Sequence, residues 1–395
     1  MNKTIFGTHD EQTLRQFENC LSVGNVIGGT LCADGHYGYS QPVGGVIVYD
    51  GQISPSGVGY DIACGNKAIK TNLYYDDIKN DISSIMDQIE KTIPFGVGKT
   101  SEKLIDHSVF DDDLWNVFLN IDKQSHDSLK HTARTQLGTA GSGNHYVDIL
   151  VDTLTNEVWI ANHFGSRGLG HKTATGFLNL ANNRNFNDKA PHETMEQPPT
   201  LIDLNSELGH MYFDAMTLAG KYAYAGRDIT LDKTLKILGG KSNYEVHNHH
   251  NYAWKEKHFG KEYVVVRKGA TPAAPGQLGF VGGSMGDISV ILKGVDSKIS
   301  REAFYSTVHG AGRIMSRTQA AGKLNWKTRR RRGGLISQAK MDHAIKNYGI
   351  ELRGGAIDES PFVYKDLSEV LNAHKDTVEI LHTLKPIGVS MAGDK

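Results

Sequence analysis

Five stretches of the chain gather side chains that can hold metal ions and phosphate. In Ser56-Gly-Val-Gly-Tyr-Asp61-Ile-Ala-Cys64-Gly65 a carboxylate and a thiol stand three residues apart among glycines, a spacing that suits one shared metal if the segment turns. Taken alone, the pair reads as a capping Asp and a buried Cys. In Leu137-Gly-Thr-Ala-Gly-Ser-Gly-Asn144-His145-Tyr-Val-Asp148 three glycines precede an Asn-His pair, so loop amides can cradle anionic oxygens. The segment Trp159-Ile-Ala-Asn-His163-Phe-Gly-Ser-Arg167 delivers a histidine from a strand end and an arginine from the turn after it, where it can grip phosphate with two donors. A packed histidine and a solvated arginine are the plainer alternative. Glu245-Val-His247-Asn-His249-His250-Asn251 holds three histidines in four positions. Neighbouring strand residues face opposite ways, so at most one of His249 and His250 enters a given site. Last, Phe304-Tyr-Ser-Thr-Val-His309-Gly-Ala-Gly-Arg313-Ile-Met-Ser-Arg317 runs from a strand-like stretch into a glycine turn. Its two arginines, four apart, would share one face of a following helix and hold phosphate groups together.

Each motif alone is weak. Together they supply a carboxylate, a thiol and several imidazoles beside glycine loops and arginines, and metal plus phosphate chemistry is the economical reading. Cysteine and histidine ligands by themselves suggest zinc before manganese.

The elements that must position these groups alternate irregularly. Residues 43 to 53, VGGVIVYDGQI, have the pattern of a β-hairpin turning at Asp50-Gly51. Val158 to Ala161, Tyr263 to Arg267 and Ile288 to Leu292 read as strands. Helical spacing links Met211, Tyr212, Ala215, Ala219 and Tyr222, and again Leu367, Val370, Leu371, His374, Val378 and Leu381, with a cap at Asp366 or nearby. There is no regular βαβ rhythm, so an α+β fold is expected, as one domain over residues 1–395. Phe186 to Thr200, rich in Asn, Asp and Pro, reads as a surface loop.

Composition sets outer limits. The formal net charge is −1, so a whole-protein basic field cannot attract nucleic acid, and any such partner must meet a local patch. Arg329 to Arg332 form the obvious local run, a solvated face or an RNA backbone contact. Three cysteines, Cys20, Cys32 and Cys64, are too few for a disulfide framework and fit a reducing compartment. The N-terminal residues lack the apolar run of a signal peptide, and no window approaches the roughly 18 apolar residues of a membrane span. A cytoplasmic protein without a membrane partner is expected. The 44 glycines imply many tight turns, and the 18 histidines prompt a search for metal.

The combination GVGYDIACG, LGTAGSGNH, GSRG, HHN, GGSMG and HGAGRIMSR, in this order, resembles the signature of the RtcB RNA ligases. The resemblance runs from Asp34-Gly-His36 to Pro386-Ile-Gly-Val, almost the whole chain. It implies an RtcB-like fold and an enzyme that joins an RNA 3′-phosphate or 2′,3′-cyclic phosphate to a 5′-hydroxyl, in RNA repair or tRNA splicing, using GTP and usually manganese, with two ions expected. It makes His309 the residue that carries the nucleotide, and Asp61, Cys64, His145, His163 and His250 the metal ligands. It places Asn144, Asp148, Gly282, Gly283, Ser284, Met285, Gly286, Gly310, Ala311, Gly312 and Tyr364 around the nucleotide, and Arg167, Arg313 and Arg317 near the RNA end. A histidine nucleophile needs a neutral ring nitrogen, which the ordinary imidazole pKa permits.

Two positions depart from the family pattern. Asp148 stands where Glu is common, one methylene short for guanine recognition, and Met391 stands where a lysine near the guanylate is common, so either Lys395 substitutes or the site does without it. These departures point to a divergent, shorter branch. Two rival readings follow: a metal-dependent phosphohydrolase of RNA ends, and a non-catalytic RNA-end binder.

Overall fold

Runs of β-branched residues broken by glycine build two large sheets. The computed structural model describes residues 2–190, 194–325 and 330–393. The first sheet orders its strands Asn2–Ile5, Val26–His36, Val43–Tyr49, Lys261–Lys268 and Asn251–His258. Val46, Ile47 and Val48 are buried on both faces of it, as a continuous apolar run requires. The second sheet runs Leu278–Val281, Ser289–Gly294, Val378–Met391, Tyr146–Asp152, Glu157–Phe164, Gly65–Tyr74 and Ser242–His249, with Glu351–Arg353 paired to the end of Val378–Met391. Pairing is antiparallel except at Asn2–Ile5 and Glu351–Arg353. With helices interspersed, the architecture is the expected α+β.

The helix Glu207–Leu238 crosses beneath the second sheet. Ser206 caps it by accepting from Gly209 N, and Gly239 ends it with φ 71°. Its small buried residues, among them Ala215, Ala219, Ala223 and Gly226, let the helix lie close to the strands. The strand readings at 158–161, 263–267 and 288–292 fall within or overlap Glu157–Phe164, Lys261–Lys268 and Ser289–Gly294.

Three local expectations are corrected. Val43–Tyr49 does not return on itself: it pairs with Val26–His36 and Lys261–Lys268, and after Gly51 the short strand Gln52–Ile53 leaves to pair with Ile202–Asp203. The bend at Asp50-Gly51 is a local feature, whereas the partner of the strand after it is chosen by distant sequence. The second helix, capped by Asp366 as expected, stops at Asn372. Val378 and Leu381 lie on the strand Val378–Met391, which is flanked by Ser289–Gly294 and Tyr146–Asp152; buried strand positions mimicked helical spacing there. Third, Arg313 precedes the helix Arg317–Ala321 and is bridged to Tyr364, so the two arginines share no helix face.

In the reading of residues 186–200 as a loop, Pro191–Glu193 lie outside the described residues, and no long element forms in the rest. Arg329 and Lys395 are also outside them; Arg330–Arg332 pair with Lys323–Asn325. Among the described residues no helix is long and apolar enough to cross a membrane.

Candidate active site

Strand register brings the candidate metal ligands into a row. Tyr146 pairs with His163, and Gly65 pairs with both Phe164 and His249. His145, His163, Cys64 and His250 therefore sit at the same end of four neighbouring strands. The Cys64 Sγ lies 3.1 Å from His163 Nε2 and 3.7 Å from His145 Nε2, and His145 Nε2 lies 2.9 Å from Asp61 Oδ2. Two groups of donors have all their ligand atoms within 4.8 Å of one another: Cys64, His163 and His250, and Asp61, Cys64 and His145. Cys64 belongs to both. The turn from Asp61 to Cys64 is closed by Ala63 at φ 59° and by Cys64 N donating to Asp61 O. A side chain at Gly165 would begin 2.3 Å from Asp61 Oδ1, so glycine is required there.

Electrostatics suit a cation. Burial, with the neighbouring histidines, holds His163 and His250 well below the ordinary imidazole range, so both keep a lone pair. Burial pushes the Cys64 thiol up, and Asp61 adds to this. Burial works against the Asp61 carboxylate too, but the bond to His145 prevails and lowers its pKa. The Nδ1 atoms of His145 and His250 are buried without a hydrogen-bond partner. A thiol, carboxylate and imidazoles converging in this way fit divalent metal, which would ionise the thiol and complete the set.

His309 stands next in the line of rings. Its ring centroid is 4.9 Å from that of His250, which is 4.9 Å from that of His163. His309 Nδ1 lies 2.6 Å from Asp34 Oδ2, and the same oxygen accepts from His309 N at 3.0 Å and Gly310 N at 3.3 Å. Burial raises the Asp34 pKa, yet the His309 charge and hydrogen bonds outweigh it and leave the carboxyl below its ordinary value. Gly312, at φ 77°, permits this approach, since a Cβ would meet Asp34 O at 2.2 Å. His36 donates its Nδ1–H to Asp34 O at 3.0 Å, and burial takes its pKa down to about 4.

These groups line a cavity of about 330 Å³. Asp61, Cys64, His163, His250, Asn144 and His309 line it, as do Gly282–Met285, Gly310–Arg313, Arg317 and Tyr364. Asp148 and Met391 face it as well; burial pushes the Asp148 carboxyl well above its ordinary range, and Asp148 Oδ1 has no partner. His145 stands behind Asp61 and Cys64. Gly286 abuts Tyr348 and Pro361 instead. Arg167 lies behind the 141–144 loop, giving Nε to Thr139 Oγ1 and Nη2 to Gly96 O.

At the far end Arg313 and Arg317 meet carboxylates. Arg317 Nη1 donates to Asp358 Oδ2 at 2.7 Å and also to Glu359, while Arg313 Nη1 is 3.3 Å from Glu359 Oε2 and donates Nη2 to Asp358 O. The Tyr364 hydroxyl donates to Glu359, which is 1% exposed. Burial opposes the Arg317 charge, but Glu359 and Asp358 strengthen it.

The family model described as "tRNA-splicing ligase RtcB" matches residues 16–392. The chain belongs to the RtcB family. It is 32% identical to the RNA-splicing ligase RtcB of Escherichia coli K12 over 90% of this chain and 87% of that protein. It is 30% identical to the tRNA-splicing ligase RtcB of Thermococcus kodakarensis over 96% and 91%, and 30% identical to the RNA-splicing ligase RtcB homolog 1 of Entamoeba histolytica over 96% and 84%.

Within this RtcB-family chain, sequence reasoning missed several groups at the site. Asp34 and His36 marked only the edge of the resemblance, although a lone Asp-x-His in a glycine-rich strand was a signal. Asp358 and Glu359 gave none, since their role depends on arginines more than 40 residues away. Asn251, which donates to Asp61 O and accepts from Gly269 N, was quoted only as the end of a histidine run.

Proposed function

We propose that this chain is an RNA ligase that uses GTP to join an RNA 3′-phosphate, or a 2′,3′-cyclic phosphate opened by water, to a 5′-hydroxyl. The observation that carries the reading is His309, fixed by Asp34 through Nδ1 and standing beside the donors that share Cys64. With Nδ1–H given to Asp34, the neutral ring keeps its free lone pair on Nε2.

In this reading Nε2 attacks the α-phosphorus of GTP: a P–N bond forms, the bond to the bridging oxygen breaks and pyrophosphate leaves. An oxygen of the RNA 3′-phosphate then attacks the same phosphorus, the P–N bond breaks and the guanylate passes to the RNA. The 5′-hydroxyl attacks the activated RNA phosphorus, loses its proton, and GMP departs. Asp34 keeps the ring oriented and balances the positive charge that builds on it during attack. Asn144, the Gly282–Met285 run and Gly310–Gly312 offer backbone and amide donors to the nucleotide, with Asp148 and Tyr364 toward its base. Arg313 and Arg317 attract the RNA phosphate. Divalent ions held by Asp61, Cys64, His145, His163 and His250, which we take to be two manganese ions, supply charge screening of the triphosphate. RNA repair or tRNA splicing in the cytoplasm is the setting that fits, with all 395 residues acting as one domain.

The test is incubation with α-labelled GTP and Mn²⁺, then a chase with RNA bearing a 3′-phosphate and a 5′-hydroxyl. The protein should take up label and release it on ligation. An unlabelled protein that still removes phosphate would establish the phosphohydrolase reading; RNA binding without any product would establish the binder.

A further inference from the structure

Behind the row of candidate ligands lies a fully buried guanidinium. Arg227, on the helix Glu207–Leu238, is 0% exposed. Its Nη1 donates to Ala63 O at 3.0 Å and to Phe164 O at 2.6 Å, its Nε to His247 Nε2 at 2.8 Å, and its Nη2 lies 2.9 Å from His249 Nδ1. Ala63 precedes Cys64, Phe164 follows His163, and His249 precedes His250. One planar group thus grips the immediate neighbour of each member of the Cys64–His163–His250 trio, on three segments about 100 and 85 residues apart in sequence.

The strand's end explains what the grip does. His249 is the last residue of the strand Ser242–His249, so fixing it on the helix side leaves His250, in the bend that follows, to line the cavity. His249 is further held between the rings of Tyr224 and Tyr252, at 4.0 and 5.2 Å. The helix is tied back in turn: Asn162 Nδ2, beside His163, donates to Arg227 O at 2.9 Å and to Thr230 Oγ1 at 2.6 Å. Lysine could not substitute, because a single ammonium cannot reach acceptors spread around a planar fork.

We infer that Arg227 is a positioning residue of the metal centre, setting the spacing of Cys64, His163 and His250 from the side opposite the cavity. This rests on the reading of that trio as metal ligands. Removing groups that orient ligands typically weakens metal binding about 10- to 100-fold.

Co²⁺ alone is the probe, titrated into the full-length protein while the thiolate-to-cobalt absorption band is followed and circular dichroism monitors folding. Wild type should show a band that Cys64→Ala lacks. Arg227→Gln should bind Co²⁺ about 10- to 100-fold more weakly with a shifted spectrum, and Arg227→Lys should recover only part. His247→Ala, which removes one partner near the surface, should weaken binding about threefold. An arginine with only a structural role would lower Tm yet leave the affinity and band of the folded protein unchanged; that result overturns the inference alone. Absence of a Cys64-dependent band in wild type overturns the metal reading and this inference with it. Should both Arg227 variants fail to fold, His247→Ala decides: unchanged affinity refutes the assignment.

Discussion

At one end of the cavity, Cys64, His163 and His250 project from the ends of neighbouring strands of one sheet, whereas at the other Arg313 and Arg317 come from a loop and the start of a short helix. Backbone register spaces the first set, and Arg227 braces it from behind. The second set is held by its own charges, two arginines against Asp358 and Glu359. Register is insensitive to salt and to ligands. Ion pairs can exchange partners, so on the proposed reading an arginine held by a carboxylate would turn to a phosphate of the RNA. The fixed end suits the nucleotide and metal, and the adjustable end suits a polymer whose terminus must enter and leave.

Three changes separate the two ends and a fourth probes the strand that carries Asp34, beginning with the largest effect. His309→Ala should reduce covalent guanylylation by more than about a thousandfold, since a lost nucleophile has no substitute in the site; labelled GTP and gel autoradiography read this. Cys64→Ala removes the donor common to both groups and should lower Mn²⁺ affinity by about a hundredfold or more, measured by equilibrium dialysis. Loss of only one of two ions would break the idea of a shared ligand.

Arg317→Ala should leave guanylylation intact while weakening binding of 3′-phosphorylated RNA about tenfold, with a smaller salt dependence. Equal loss of both activities would erase the division between the ends. The smallest effect concerns the strand that carries Asp34. His374 Nε2 accepts from Ala33 N at 3.2 Å, and burial brings the ring's pKa down to about 4. The folded ring therefore binds its proton less readily than the unfolded one. The contribution of His374 to stability is whole above about pH 6.5 and falls as pH drops toward 4, by up to about 3 kcal/mol. His374→Gln keeps an acceptor without titrating, and its urea-unfolding free energy should vary less over that window. His36 titrates in the same window in both proteins, so the difference between them reports His374.

The strand-built end was the more legible in the sequence. Cys64, His163 and His250 stand in short motifs whose chemistry is visible locally; alternation admitted at most one of His249 and His250, and the family resemblance chose His250. What the sequence withheld is set by distance. Nothing near Arg227 announces that it grips three remote segments, and Glu359 acquires meaning only where Arg313 and Arg317 meet it. The same limit explains the errors in the fold: Asp366 as a cap and Gly51 as a turn are local facts, while the partner of Gln52–Ile53 and the fate of Val378 are decided elsewhere in the chain.

On the proposed reading one imidazole, held by Asp34 at the edge of the row of candidate metal ligands, carries the nucleotide. Peptide mapping by mass spectrometry after incubation with Mn²⁺ and GTP tests it most directly. The wild-type protein should carry one acid-labile GMP on the peptide containing His309. No adduct, or an adduct on any other residue, contradicts it.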